Sequence, residues 1–66
     1  MLSERQKSVL SLAAAGLTNQ EIGRRLAITH STVREHLLAI RRSLRALNTT
    51  HAVAIAVSRQ LIDFAA

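Results

Sequence analysis

The chain has 66 residues, a net charge of +5, 48% hydrophobic residues, a single Phe and no Trp, Tyr, Cys or Pro. A length of this order supports one small domain that buries only about 60% of its unfolded surface, and the missing cysteines exclude disulfides and thiolate metal sites. No apolar run approaches the roughly 18 residues of a membrane span, and the N-terminal MLSERQKS is charged without the apolar core of a signal peptide.

With no Pro, two Gly and no alternating Val/Ile/Thr run, the pattern predicts an all-α chain. Ser3 followed by Gln6 reads as a capping box and starts a first helix of about Glu4 to Ala15. Its apolar set is Val9, Leu10, Leu12, Ala13 and Ala14, and Gly16 suits the positive φ found just past a helix end. Thr18 and Glu21 form a second capping box for a short helix, about Asn19 to Leu26, with Ile22 and Leu26 facing inward. Gly23 is unfavourable inside a helix and predicts the close passage of another helix backbone. Ala27-Ile28 is the turn, with Ile28 expected to plug the core, and Thr29 caps a third helix of His30 to about Ala46.

Along that third helix Val33, Leu37, Ile40 and Leu44 recur at i, i+4, i+7 and i+11 and form one apolar stripe. Ser31, Arg34, Glu35, Leu38, Arg42 and Arg45 lie on or toward the other side. Asn48 caps a fourth helix, about Thr49 to Leu61, that differs in kind. Val53, Val57 and Leu61 make one apolar row, and Ile55 with Ile62 makes another on a different side. A helix apolar on two sides in so small a domain is expected to share one of them with a second copy.

Charge is concentrated. Residues 1–23 balance Arg5 and Lys7 against Glu4 and Glu21, and residues 46–66 balance Arg59 against Asp63. Between them Arg24, Arg25, Arg34, Arg41, Arg42 and Arg45 face Glu35 alone. One third of the chain therefore carries the whole excess, the electrostatic footprint of a nucleic-acid binder.

A short helix, a tight turn and a longer helix with a polar outer face form a helix-turn-helix layout. Here the first helix of the pair braces the second, which enters the major groove. The segments LSERQKSVL, GLTNQEIGRRLAIT, STVREHL and LRALNTTHAVAIA resemble the DNA-binding domain of LuxR/NarL/GerE-type bacterial transcription regulators, from Leu2 to about Ile62. The resemblance implies a four-helix fold, double-stranded DNA as partner and transcription regulation in the cytoplasm. It also implies a homodimer, assisted by DNA, through the fourth helix at Val53, Val57 and Leu61. The domain would be the C-terminal part of a longer regulator that also meets RNA polymerase, with no cofactor, no membrane partner and no enzymatic activity. By position, Arg34, Glu35 and Leu38 would face bases. Thr18, Asn19, Ser31, Thr32, Arg41 and Arg42 would hold phosphates.

The chain departs from the family's pattern at four places. Leu38 is apolar where a polar residue is common, so it reads a thymine methyl or nothing. Glu35 is acidic where it can accept from a cytosine amine or repel wrong sites. Gln6 stands where Glu is usual, and Thr49 where Arg is usual.

Competing readings are weaker on physical grounds. His30, His36 and His51 are spaced six and fifteen residues apart, so no two share a helical turn as metal ligands would. A Ser/His/Asp triad would need a pocket that so small a helical chain hardly builds. A membrane-surface role for the basic helix lacks an aromatic anchor. The surviving alternative to DNA binding is a helical interaction module whose arginine face meets an acidic protein.

Overall fold

A computed structural model describes residues 1–63. The described residues form four helices and no strand: α1 (Glu4–Ala14), α2 (Asn19–Leu26), α3 (His30–Leu44) and α4 (Thr49–Ser58). Helix α3 packs against each of the other three, and α1 also touches α2 and α4. The core is aliphatic: Val9 and Leu10 of α1, Ile22 of α2, the Val33–Leu37–Ile40–Leu44 stripe of α3, Ala52 and Ala56 of α4, closed by Leu2 and Ile62. Leu2 joins the core although it lies outside any helix, where periodicity gives no signal. Leu12, Ala13 and Ala14 are only partly buried, and Ile28 packs against the edge of the core without being sealed in it.

The helix starts are set by their caps. Ser3 Oγ accepts from Gln6 N–H at 3.1 Å while Gln6 Oε1 accepts from Ser3 N–H at 2.9 Å. The same reciprocal pair joins Thr18 and Glu21 at 3.2 and 2.8 Å. Thr29 Oγ1 accepts from Thr32 N–H at 3.1 Å, and Asn48 Oδ1 accepts from His51 N–H at 2.8 Å. Each such cap contributes about 1 kcal/mol by satisfying an amide that the helix leaves free.

The ends are less regular than the sequence suggests. The first helix stops at Ala14, with Ala15 as its cap, and Gly16 takes the expected positive φ of 95°. The third helix stops at Leu44 rather than near Ala46, because Arg45 turns left-handed and Ala46 N–H reaches back to the Arg41 carbonyl at 2.8 Å. The fourth stops at Ser58 rather than Leu61, because Gln60 turns left-handed and Leu61 N–H reaches the Ala56 carbonyl at 2.8 Å. Both are backward-reaching C-terminal turns that return an apolar residue toward the core. Such turns usually announce themselves with glycine, and neither does here.

Ala27, Arg45 and Gln60 hold φ of 60°, 55° and 59°, a region where a Cβ crowds the next carbonyl along the chain. Relief at Ala27, which is exposed, is the simplest to obtain. Ala27→Gly is expected to stabilise the fold by about 0.5–1 kcal/mol, a rise of roughly 4 °C in Tm by circular dichroism. An unchanged or lower Tm would show that glycine's greater freedom in the unfolded chain outweighs the relieved crowding.

Helix α4 explains its own apolar pattern. Its inward face is Ala52 and Ala56, both fully buried, so small side chains let the helix lie close to the core. Val53 and Val57 on one flank and Ile55 on the other are half-buried and rest against that core. The two apolar rows therefore border one alanine seam.

Candidate nucleic-acid interface

The pair α2 and α3 is joined by Ala27, Ile28 and Thr29, and Gly23 sets how closely it folds. A Cβ at Gly23 would lie 2.6 Å from the Ile28 carbonyl oxygen and 3.4 Å from both the Thr29 carbonyl carbon and His30 N. The close backbone at Gly23 is the turn and the first residue of α3 rather than a separate helix passing by, and the Gly23 carbonyl accepts from Ile28 N–H at 2.9 Å. That contact fixes the angle at which α3 leaves the turn.

With its stripe buried, α3 presents Ser31, Arg34, Glu35, Leu38, Ala39 and Arg42 outward, all exposed. Arg34, Leu38 and Arg41 descend one edge of the helix at i, i+4 and i+7. They line a shallow groove whose other wall is Leu17 and Asn19, from the start of α2, and Thr49, the first residue of α4. The structure thus brings together Arg34, Leu38, Arg41 and Asn19 of the expected site. It places Ser31, Glu35 and Arg42 on the adjoining outer face.

The expected hydroxyl contacts differ among themselves. Thr18 is exposed and its Oγ1 accepts from Glu21 N–H, while the Asn19 and Gln20 amides begin the helix without an intrahelical partner. Glu21, at the same helix start, has its carboxyl held below the usual carboxylate range by the hydrogen bond from Thr18 N–H, then by the Thr18 side chain and the charge of Arg24. Thr32 is half-buried and its Oγ1 lies 3.0 Å from Thr29 Oγ1, so it is engaged in the cap of its own helix.

The arginines are largely uncommitted. Among the described residues the ion pair is Lys7 with Glu4 at 3.4 Å, far along the sequence from the basic third. Arg24, Arg25, Arg34, Arg42 and Arg45 are exposed. Arg41 is the exception: half-buried, it donates from Nη2 to the Leu47 carbonyl at 3.1 Å, and its Nε is buried without a hydrogen-bond partner. Among the described residues none of these arginines lies within ion-pair distance of a carboxylate, although the charge of Arg24 acts on Glu21. Of the histidines, His30 is exposed on the first turn of α3, His36 is half-buried on its other flank, and His51 Nδ1 accepts from Leu47 N–H.

On α4, Val53 and Val57 lie half-buried on one flank. Leu61 falls beyond the helix end and lines a separate hollow with Leu12 and Leu26, off the valine row. Sequence reasoning missed two contributors. Thr49 completes the groove only because the chain returns past Arg41, which no local pattern reveals. The Arg41–Leu47–His51 chain of hydrogen bonds could have been sought from a histidine at the third position of a capped helix, where Gln6 and Glu21 sit in theirs.

The family model described as bacterial regulatory proteins, luxR family, matches residues 1–56. The chain is 44% identical over 62 residues to the transcriptional activator protein BjaR1 of Bradyrhizobium diazoefficiens, covering 94% of this chain and 26% of that protein. It is 39% identical over 62 residues to the transcriptional activator protein ExpR of Dickeya dadantii, covering 94% and 25%. It is 40% identical over 63 residues to the response regulator protein VraR of Staphylococcus aureus, covering 96% and 30%. The chain thus spans between a quarter and a third of the length of these curated relatives.

Proposed function

We propose that this chain, which belongs to the luxR family of bacterial regulatory proteins, is the DNA-reading part of a longer cytoplasmic transcription regulator and acts by binding alone. Helix α3 lies in the major groove of a duplex. The exposed, unpaired arginine face of α3, set against an otherwise charge-balanced chain, is the observation that carries this reading.

In this reading Arg34 donates to a base edge, the bidentate pairing with guanine being the commonest such contact. Glu35 accepts from a cytosine amine or rejects other bases, and Leu38, 42% exposed, meets a thymine methyl. Thr18, Asn19 and Ser31 hold phosphates through hydroxyl, side-chain amide and helix-start donors, with Arg41 and Arg42 supplying charge. Thr32 contributes through the cap that orients the start of α3. A second copy pairs through α4 at Val53 and Val57, with Leu61 at the margin, and the duplex assists the pairing by presenting two half-sites. RNA polymerase is the partner through which binding alters transcription.

Binding of this kind releases counterions from the duplex. With about four phosphates engaged per protomer, log K is expected to fall against log salt with a slope near about −4 per protomer. Fluorescence anisotropy of a labelled duplex across a salt series measures it. A complex whose affinity ignores salt would remove phosphate neutralisation from the account.

A further inference from the structure

Leu47 connects α3 to α4 with its side chain 80% exposed, yet its peptide unit is held from both ends. Its N–H donates to His51 Nδ1 at 3.0 Å, and its carbonyl accepts from Arg41 Nη2 at 3.1 Å. His51 is the third residue of α4, and its own N–H is tied to Asn48 Oδ1 at 2.8 Å. The imidazole therefore serves as Gln6 and Glu21 do in α1 and α2: a side-chain acceptor for a backbone amide just before the helix. Gln6 cannot titrate there. An imidazole changes charge between about pH 5 and 8.

We propose that His51 is a pH-sensitive positioning residue for DNA binding: the neutral imidazole fixes the Leu47 peptide, which holds the Arg41 guanidinium in the groove beside Arg34, and protonation releases both. This rests on the duplex-binding reading above. A proton from solvent takes the Nδ1 lone pair, leaving a ring that only donates. Leu47 N–H then faces another N–H, the peptide turns away, and Arg41 loses its carbonyl partner. Arg41 must afterwards be ordered again by the phosphate it meets, against its own rotamer entropy.

The charged groups around the ring are cationic. Arg41 faces His51 across the Leu47 peptide from α3, Arg59 lines the same hollow from the end of α4, and the positive start of the α4 dipole lies beneath it. Among the described residues no carboxylate lies within ion-pair distance of the ring. His30 and His36 are common to the parent and a His51 variant. The comparison with a non-titrating acceptor therefore isolates the effect of His51.

The test uses the 66-residue chain and its His51→Gln variant, between pH 7.5 and 5.5, by two readouts. In nuclear magnetic resonance the Leu47 amide shift should track the titration of the His51 ring in the parent and stay constant in His51→Gln. In anisotropy with a labelled duplex, the parent should lose about fivefold in affinity relative to His51→Gln over that range. A Leu47 amide indifferent to the ring's titration overturns the proposal, as do parallel affinity profiles. If neither protein binds a duplex at any pH, the DNA reading itself fails. The Leu47 shift separates that outcome, because it needs no DNA.

Discussion

Arg34→Ala is expected to weaken binding to the preferred duplex by about 1–3 kcal/mol and to relax discrimination at one base position. The magnitude comes from removing a donor at a base edge. It does not come from stability: Arg34 is exposed and has no hydrogen-bond or ion-pair partner among the described residues, so unfolding should move by no more than about 0.5 kcal/mol. Arg42→Ala is the informative companion. Arg42 is equally exposed but is assigned to phosphate, so its loss should weaken all duplexes alike and reduce the salt slope by about one. Competition between a selected site and random duplex, measured for both variants, checks the division. If Arg34→Ala binds its site as the parent does, the arginine face belongs to a different partner, and an acidic protein becomes the better reading.

The second large effect concerns a residue that touches no ligand. Gly23→Ala would ordinarily stabilise a helix interior by about 1 kcal/mol. Here the sign should reverse. The new Cβ would meet the Ile28 carbonyl at 2.6 Å, and that oxygen belongs to a turn fixed on both sides by helices. Displacing it opens the α2–α3 angle and unseats the Val33 and Leu37 stripe. The expected loss is about 2–4 kcal/mol, against a total of roughly 3–10 kcal/mol for a chain of 66 residues. Urea unfolding of the isolated chain gives the value. A variant as stable as the parent would mean that the turn yields by a few tenths of an ångström. Duplex affinity would then report whether the aim of α3 moved with it.

Most of the fold was legible because it is written in local chemistry. The four helix starts rest on Ser3, Thr18, Thr29 and Asn48, each a side chain that bonds an amide three residues on. Such signals lie within one turn of sequence. The helix ends were less legible. Arg45 and Gln60 take left-handed geometry without glycine, because that geometry turns Ala46 and Leu61 back against the core. The apolar breadth of α4 was visible, but the buried alanine seam at its centre was not. That Ala52 and Ala56 face inward depends on how near α1 and α3 approach.

The candidate site divides along the same line. Arg34, Glu35 and Leu38 were named by their positions in a motif that resembles the family's, and the helix leaves all three exposed. Thr32 was named by the same resemblance, and Arg41 was added to its phosphate contacts. Each makes internal bonds, to Thr29 and Leu47, that only the path of the chain creates. The groove linking Asn19, Arg34 and Thr49 joins three helices, and no window of sequence contains it.

The gathering of the arginines in one third of the sequence has a thermodynamic side. Like charges repel, and a compact fold gathers them more closely than the loose chain would. In the free domain added salt relieves that repulsion and favours the folded state; in the complex the same salt competes with the duplex. Ionic strength thus acts with two signs on one set of side chains, strengthening the domain and weakening its hold. The duplex supplies in one step the counter-charge that the sequence withholds, so the domain should be most stable when it is bound.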